Sequence, residues 1–223
     1  GLAGCISAYE IIRRLQGRNT RFSYRAFASV EIVGSVYYLD ALGEAANNIR
    51  ETLFLGFSGI TSQMVYQQSF KRNSFLDRIV QHLLLFNGVG EKSIFNHREL
   101  SGNDENVFDS VGYEIPSGTL TRWPFPEYHT NYDNIEITNK EKIEEVINFG
   151  LRVIEVIENN YYLIAKYKGL PSLSNPNINL YLSPTKLSGV DSKASSDMEQ
   201  FLSDLLPNER DYILKNPQIL NQF

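Results

Sequence analysis

Pro124-Phe125-Pro126-Glu127-Tyr128-His129-Thr130-Asn131-Tyr132-Asp133-Asn134 is the stretch from which this 223-residue chain is best read. Two prolines within three residues hold the backbone in extended or turn conformations, so the residues after them are aimed rather than free. An aromatic ring, an imidazole and a hydroxyl come next, and the carboxylate of Asp133 stands three residues beyond Thr130. A neutral imidazole braced by a carboxylate is how proteins present a zinc ligand, because the carboxylate fixes the tautomer and raises the basicity. Leu120-Thr121-Arg122-Trp123, just before, reads as the end of a strand and sets this polar cluster on a rigid edge. From the residues alone, a surface turn whose histidine merely caps a neighbouring segment fits as well.

Working outward, Ile143, Val146, Ile147, Gly150, Ile154 and Ile157 share one face of a helix that Thr138-x-x-Glu141 opens as a capping box. Near the start, Ile6, Tyr9, Ile12 and Leu15 predict an amphipathic helix over 4–16, ended by Gly17. Phe22 to Glu31 alternates aromatic and small residues and predicts a strand, fully buried near 27–30. Glu31 then stands at the strand's carboxyl end, before Gly34 and a helix through Tyr38, Leu42 and Ala45. Open α/β sheets place their chemistry at such an end. A carboxylate favoured by the helix dipole suits the same position.

Leu53 to Gly59 reads as a short apolar strand ending in glycines, and 64–70 as an extended excursion. Ser74 starts a helix through Ile79, Leu83 and Phe86. His82, among apolar neighbours there, reads as a core or boundary residue; His97 reads as exposed, and neither is expected to bind a ligand. Asn103-Asp104-Glu105 suits an Asx turn before a short helix carrying Phe108. Trp123 and Tyr128 suit either the wall of a small pocket or ordinary core packing.

Tyr128-His129-Thr130-x-x-Asp133 resembles the last metal-binding motif of the zinc aminopeptidase superfamily, which includes bacterial leucyl aminopeptidases, glutamate carboxypeptidases and glutaminyl cyclases. With Asn103-Asp104-Glu105-Asn106-x-Phe108 and Ile115-Pro116 upstream, the pattern is similar to a bacterial branch of aminopeptidase-like proteins tied to polysaccharide biosynthesis. The resemblance spans roughly residues 1–165. It implies His129 as a zinc ligand and Glu31 as a second ligand or the general base. The family carries a Glu-Glu pair there, whereas Glu31 lies between Val30 and Ile32. Asp104 is implied to support the site by hydrogen bonding, with Glu105 where aminopeptidases often have histidine, and Tyr128 and Asp133 beside the ligand.

Gly1-Leu2-Ala3-Gly4 resembles the small-residue run that follows the family's metal-bridging aspartate, which would put that aspartate and a preceding histidine upstream of Gly1. By its residues alone the same run is a flexible start. Phe57 stands where two-metal members carry a metal-binding aspartate. A phenyl ring cannot coordinate a cation, which speaks against a two-metal site. The resemblance to the one-zinc glutaminyl cyclases implies that this loss does not by itself abolish metal binding, with the site either completed by upstream residues or decayed.

Composition sets the outer bounds. The chain is 42% hydrophobic and 21% charged, ordinary values for a globular protein. A net charge of −5 argues against a general nucleic-acid binder. No apolar run approaches the roughly 20 residues that cross a bilayer, and no secretory leader is visible. The single Cys5 suits a reducing cytoplasm, the expected location. The absence of an initial methionine suggests a piece of something longer.

After Tyr162, residues such as Gly169, Pro171, Pro176 and Pro184 predict a linker over 166–194 and then a helical segment over 195–223. In the resembling branch a winged-helix-like module often follows there. Four basic against six acidic residues from Leu170 onward do not suit DNA reading, so domain packing or oligomer contact is expected. The expectation is therefore a three-layer α/β/α sandwich with a mixed sheet. It would act with zinc on a small peptide or amide, with no nucleic-acid or membrane partner and with a homo-oligomer admitted. The alternative is a non-catalytic binding or scaffold protein that keeps the fold.

Overall fold

The computed structural model describes residues 2–160 without interruption and scattered positions between 161 and 177. In chain order the elements are α1 (Leu2–Leu15), α2 (Val33–Leu42), β1 (Thr52–Leu55), β2 (Gln63–Gln67), α3 (Phe75–Phe86), β3 (Ile94–Phe95), α4 (Glu105–Phe108), β4 (Ser117–Trp123) and α5 (Lys140–Asn159). The chain divides into two compact units, Gly1–Asn160 and Tyr161–Phe223. The predicted linker and C-terminal helical segment lie almost wholly outside the described residues.

The strands form one mixed sheet in the order β1-β4-β2-β3. β4 runs parallel to β1 and antiparallel to β2, and β2 runs parallel to β3. Successive side chains of a strand face opposite sides. Leu120 lies in register with Leu55 and Tyr66, and this face packs on Ile79, Val80 and Leu83 of α3 and Val146, Phe149 and Val153 of α5. The alternate residues of β4, Ser117, Thr119 and Thr121, turn to the other face, where α4 packs on β4 and on α2. Leu39, Ala46, Phe108 and Ile115 form a second, smaller core there. The result is the predicted α/β sandwich with a mixed sheet.

Several expectations need correction. Phe22–Glu31 is not a strand: among the described residues it joins no ladder, and residues 25–31 are exposed. A strand is defined by its pairing partner, and among the described residues none lies alongside this segment. Phe22 is held by its ends instead, with its N–H donating to Glu158 on α5 and its ring under the guanidinium of Arg50. The 64–70 excursion contains β2, which runs through the interior of the sheet. α5 is capped by Asn139, whose side chain accepts from Lys142 N at 3.0 Å, and not by Thr138. His82 is exposed and stacks against Phe86, while His97 is only half-exposed, with a buried Nδ1.

The predicted inner face of α1 is only partly right, with Ile12 and Leu15 half-buried. Ile6 and Tyr9 are exposed, and the buried residues are Gly4, Ser7 and Ile11. Small residues let the helix press against the backbone at the end of β1: a Cβ at Gly4 would stand 2.1 Å from the Leu55 carbonyl oxygen and 2.7 Å from that of Gly56. Gly1–Gly4 is thus no loose start, since three of its residues open α1. Gly4→Ala is expected to destabilise by about 1–3 kcal/mol, the usual cost of overpacking. In an open helix the same change would stabilise by about 1 kcal/mol, so the sign of the shift in a urea unfolding midpoint decides.

Candidate functional site

β1 and β4 run parallel, and β4 continues past the Leu55–Leu120 pair to Trp123. Gly56 N donates to Leu120 O at 3.0 Å and Phe57 N donates to the Thr121 hydroxyl at 3.0 Å, so the contact between the strands extends to Phe57. The Phe57 ring lies 4.7 Å from Phe125 and 5.0 Å from Tyr128, and Tyr128 stacks on His129 at 3.8 Å. β4 leaves the sheet through a cis Trp123–Pro124 bond, and the Ser62 hydroxyl donates to the Pro124 carbonyl at 2.5 Å.

A tight turn comes next. Tyr128 N donates to Phe125 O, and both the N–H and the hydroxyl of Thr130 donate to Glu127 O. At the turn His129 adopts a φ of +60°, with an exposed side chain. Asp133 plays a different part from the one expected: its N–H donates to Thr130 O at 3.3 Å, and no hydrogen bond joins its carboxylate to the imidazole. The ring contact with Tyr128 is what orients His129.

Glu31 belongs to a second group. Asn103 Nδ2 donates to Glu31 Oε1. Asp104 Oδ1 accepts from Ile32 N at 2.7 Å and from the Ser35 hydroxyl at 2.8 Å. Ile32 precedes α2 and has no side chain able to cap it, so Asp104 supplies the acceptor from 72 residues away. Asp104 thus ties the Asn103–Glu105 turn to the start of α2.

Glu105 is only 1% exposed. Its Oε1 accepts from Asn103 N at 2.8 Å and from Gln67 Nε2 at 3.4 Å, whereas its buried Oε2 has no partner. Burial pushes its pKa above the ordinary glutamate value. A carboxyl raised on folding contributes stability below its unfolded pKa and loses it as pH rises through the folded one. Glu105→Gln, which removes the charge, is therefore expected to hold or raise Tm at pH 8 and to flatten the decline of Tm from pH 5 to 8. A Tm that falls equally at both pH values would contradict this.

Glu31, Asp104 and Glu105 are thus neighbours, and Tyr128, His129 and Phe57 are neighbours. No hydrogen bond or ion pair links Glu31 to His129, and among the described residues no group of three or more His, Cys, Asp or Glu side chains is placed to hold a metal ion. A catalytic zinc usually takes three protein ligands. The described donors do not by themselves fit one. The Phe57 ring, packed beside Tyr128, adds no donor next to His129. Ser35 and Gln67 went unnoticed in the sequence, and Asn103 was read there only as part of an Asx turn and of the family motif.

This arrangement, a mixed sheet with the histidine turn after β4, has relatives. The sequence family described as "Domain of unknown function (DUF4910)" matches residues 1–160. The chain belongs to the DUF4910 family. This DUF4910 chain is 30% identical over 180 residues to a Clostridium acetobutylicum protein named as a candidate polysaccharide biosynthesis protein with an aminopeptidase-like domain. That match covers 79% of the chain and 41% of the relative. A crystal structure named as a candidate peptidase from Clostridium acetobutylicum is similar at a TM-score of 0.68 and 29% identity, over 78% of this chain and 41% of that one. BSAP, a zinc aminopeptidase from Bacillus subtilis, is similar at a TM-score of 0.54 and 18% identity, over 70% and 40%. This last likeness shows the fold alone. The DUF4910 chain spans about two fifths of the length of the relatives it matches. The aminopeptidase-like resemblance read from the histidine motif holds for family and fold.

Proposed function

We propose that this DUF4910 chain is the core of an aminopeptidase-like hydrolase acting on a small peptide or amide. His129 and Glu31 are the residues it offers to a single zinc ion, with an aspartate expected upstream of Gly1 as the third ligand. The observation that carries the reading is the aimed, exposed His129 on the turn after β4, in a chain of aminopeptidase-like fold. Phe57 beside it supports one metal rather than two.

Glu31 is exposed and hydrogen-bonded, which suits a carboxylate that takes or gives up a proton. The aromatic group of Phe57, Phe125 and Tyr128 shields one side of His129. The name of the Clostridium relative supports a substrate linked to polysaccharide assembly. That no group of three His, Cys, Asp or Glu side chains among the described residues is placed to hold a metal ion favours a second reading, a binding protein that keeps the fold without the reaction.

Hydrolysis of a panel of aminoacyl p-nitroanilides by the full-length protein distinguishes the two. The hydrolase reading expects turnover that Glu31→Gln lowers by about 100-fold or more, the usual weight of a general base. The binding-protein reading expects no turnover in either.

A further inference from the structure

An exposed glutamate on irregular backbone is ordinarily free to sample its rotamers, and fixing it costs side-chain entropy. Glu31 is fixed from two directions by one turn. Asn103 Nδ2 donates to its carboxylate, while Asn103 Oδ1 accepts from Asp104 N at 2.8 Å. These two partners determine which way the carboxamide points: its oxygen must face the N–H and its nitrogen the carboxylate. The next residue of the turn, Asp104, accepts from Ile32 N, so the peptide that follows Glu31 is held as well. Ile32 has a φ of +60°, costly for a β-branched residue and kept only where the surroundings impose it.

The turn itself is tied to the sheet. Asn103 N donates to Glu105 Oε1 at 2.8 Å, and Asn106 N donates to Asn103 O at 3.0 Å. Gln67, fully buried on β2, donates to Ser101 O at 3.0 Å and accepts from Leu100 N at 2.8 Å and Ser101 N at 3.1 Å. A continuous path of hydrogen bonds therefore runs from the interior strand β2 through Glu105 to Asn103 and out to Glu31.

We infer that Asn103 is a positioning residue whose carboxamide orients the Glu31 carboxylate, with Gln67 and Glu105 as its anchorage. In its functional consequence this rests on the proposed hydrolase reading, in which Glu31 takes part in the reaction. Asn103→Asp keeps the shape and the acceptor for Asp104 N but turns the donor into a second carboxylate facing Glu31. Asn103→Ala removes both groups.

The test has two arms on the full-length protein. In the first, kinetics on an aminoacyl p-nitroanilide are expected to show kcat lowered about tenfold in Asn103→Ala and further in Asn103→Asp, with KM within about twofold. A Tm loss with kcat unchanged would make Asn103 merely structural and overturn the inference. The second arm needs no activity. The Asn103 side-chain amide protons, assigned by NMR from their loss in Asn103→Asp, are expected to move toward the positions of solvated amides in Glu31→Ala. Identical resonances in both proteins would overturn the pairing. If the wild type hydrolyses no anilide and the resonances do move, the hydrolase reading fails and the Asn103–Glu31 pairing stands.

Discussion

Replacing Asp77 by alanine is expected to cost about 3–5 kcal/mol, because it leaves several buried donors unpaired at once. Asp77 is fully buried. Its Oδ1 accepts from the Tyr66 hydroxyl at 2.8 Å and from Ser69 N at 2.9 Å, and its Oδ2 accepts from the Ser69 hydroxyl at 2.6 Å and from Ser74 N at 2.9 Å. Ser74 returns the bond by accepting from Asp77 N, which completes the capping box of α3. One carboxylate thus joins an interior strand, the loop after it and the start of a core helix. Urea unfolding at constant m-value measures the loss, and a change below about 1 kcal/mol would contradict this account. Asp77→Asn keeps one oxygen and is expected to cost about half as much.

The second large effect is expected at Arg122, which is 2% exposed on β4. Its Nε donates to Ser58 O at 3.1 Å, Nη1 to Ser62 O at 2.9 Å, and Nη2 to both Lys142 O at 3.1 Å and Glu145 Oε2 at 2.6 Å. Arg122→Met fills the volume but leaves three carbonyls without their donor, for a loss of about 3 kcal/mol. Glu145 stays half-exposed and adds little to that sum.

The pH dependence of this variant carries a sign. Lys142 first, and Arg122 after it, hold the Glu145 pKa below its ordinary value. The stability this contributes is present above the unfolded pKa of glutamate and is lost as pH falls through the lowered one. Arg122→Met should therefore lose less stability than the wild type between pH 5 and 3. Because Arg122 also holds the Ser58–Ser62 segment, whose Ser62 donates to Pro124, the turn bearing His129 should loosen with it.

How far the structure was legible depends on the range of each interaction. α3 and α5 declared themselves through local periodicity, and Asp77 at the third position after Ser74 is a local capping signal. The turn around His129 was legible because two prolines constrain a backbone within reach of a few residues. β2 was missed because Gln63 and Gln67 make one face of it polar; Gln67 is buried only because it serves the backbone of Leu100 and Ser101. Phe22–Glu31 was misread for the opposite reason: its composition is that of a buried strand, but pairing depends on what lies beside it. The inner face of α1 was misread because its tightest contact is made by Gly4, which has no side chain for hydropathy to register. No pattern within one window could have coupled Glu31 to Asn103, 72 residues away.

If His129 and Glu31 together hold one cation, as proposed, metal analysis of the purified full-length protein reads it out. The account predicts about one zinc per chain in the wild type and its loss in His129→Ala, in a variant that still folds. Zinc retained undiminished in His129→Ala, or a wild type that takes up none when zinc is supplied, would contradict it.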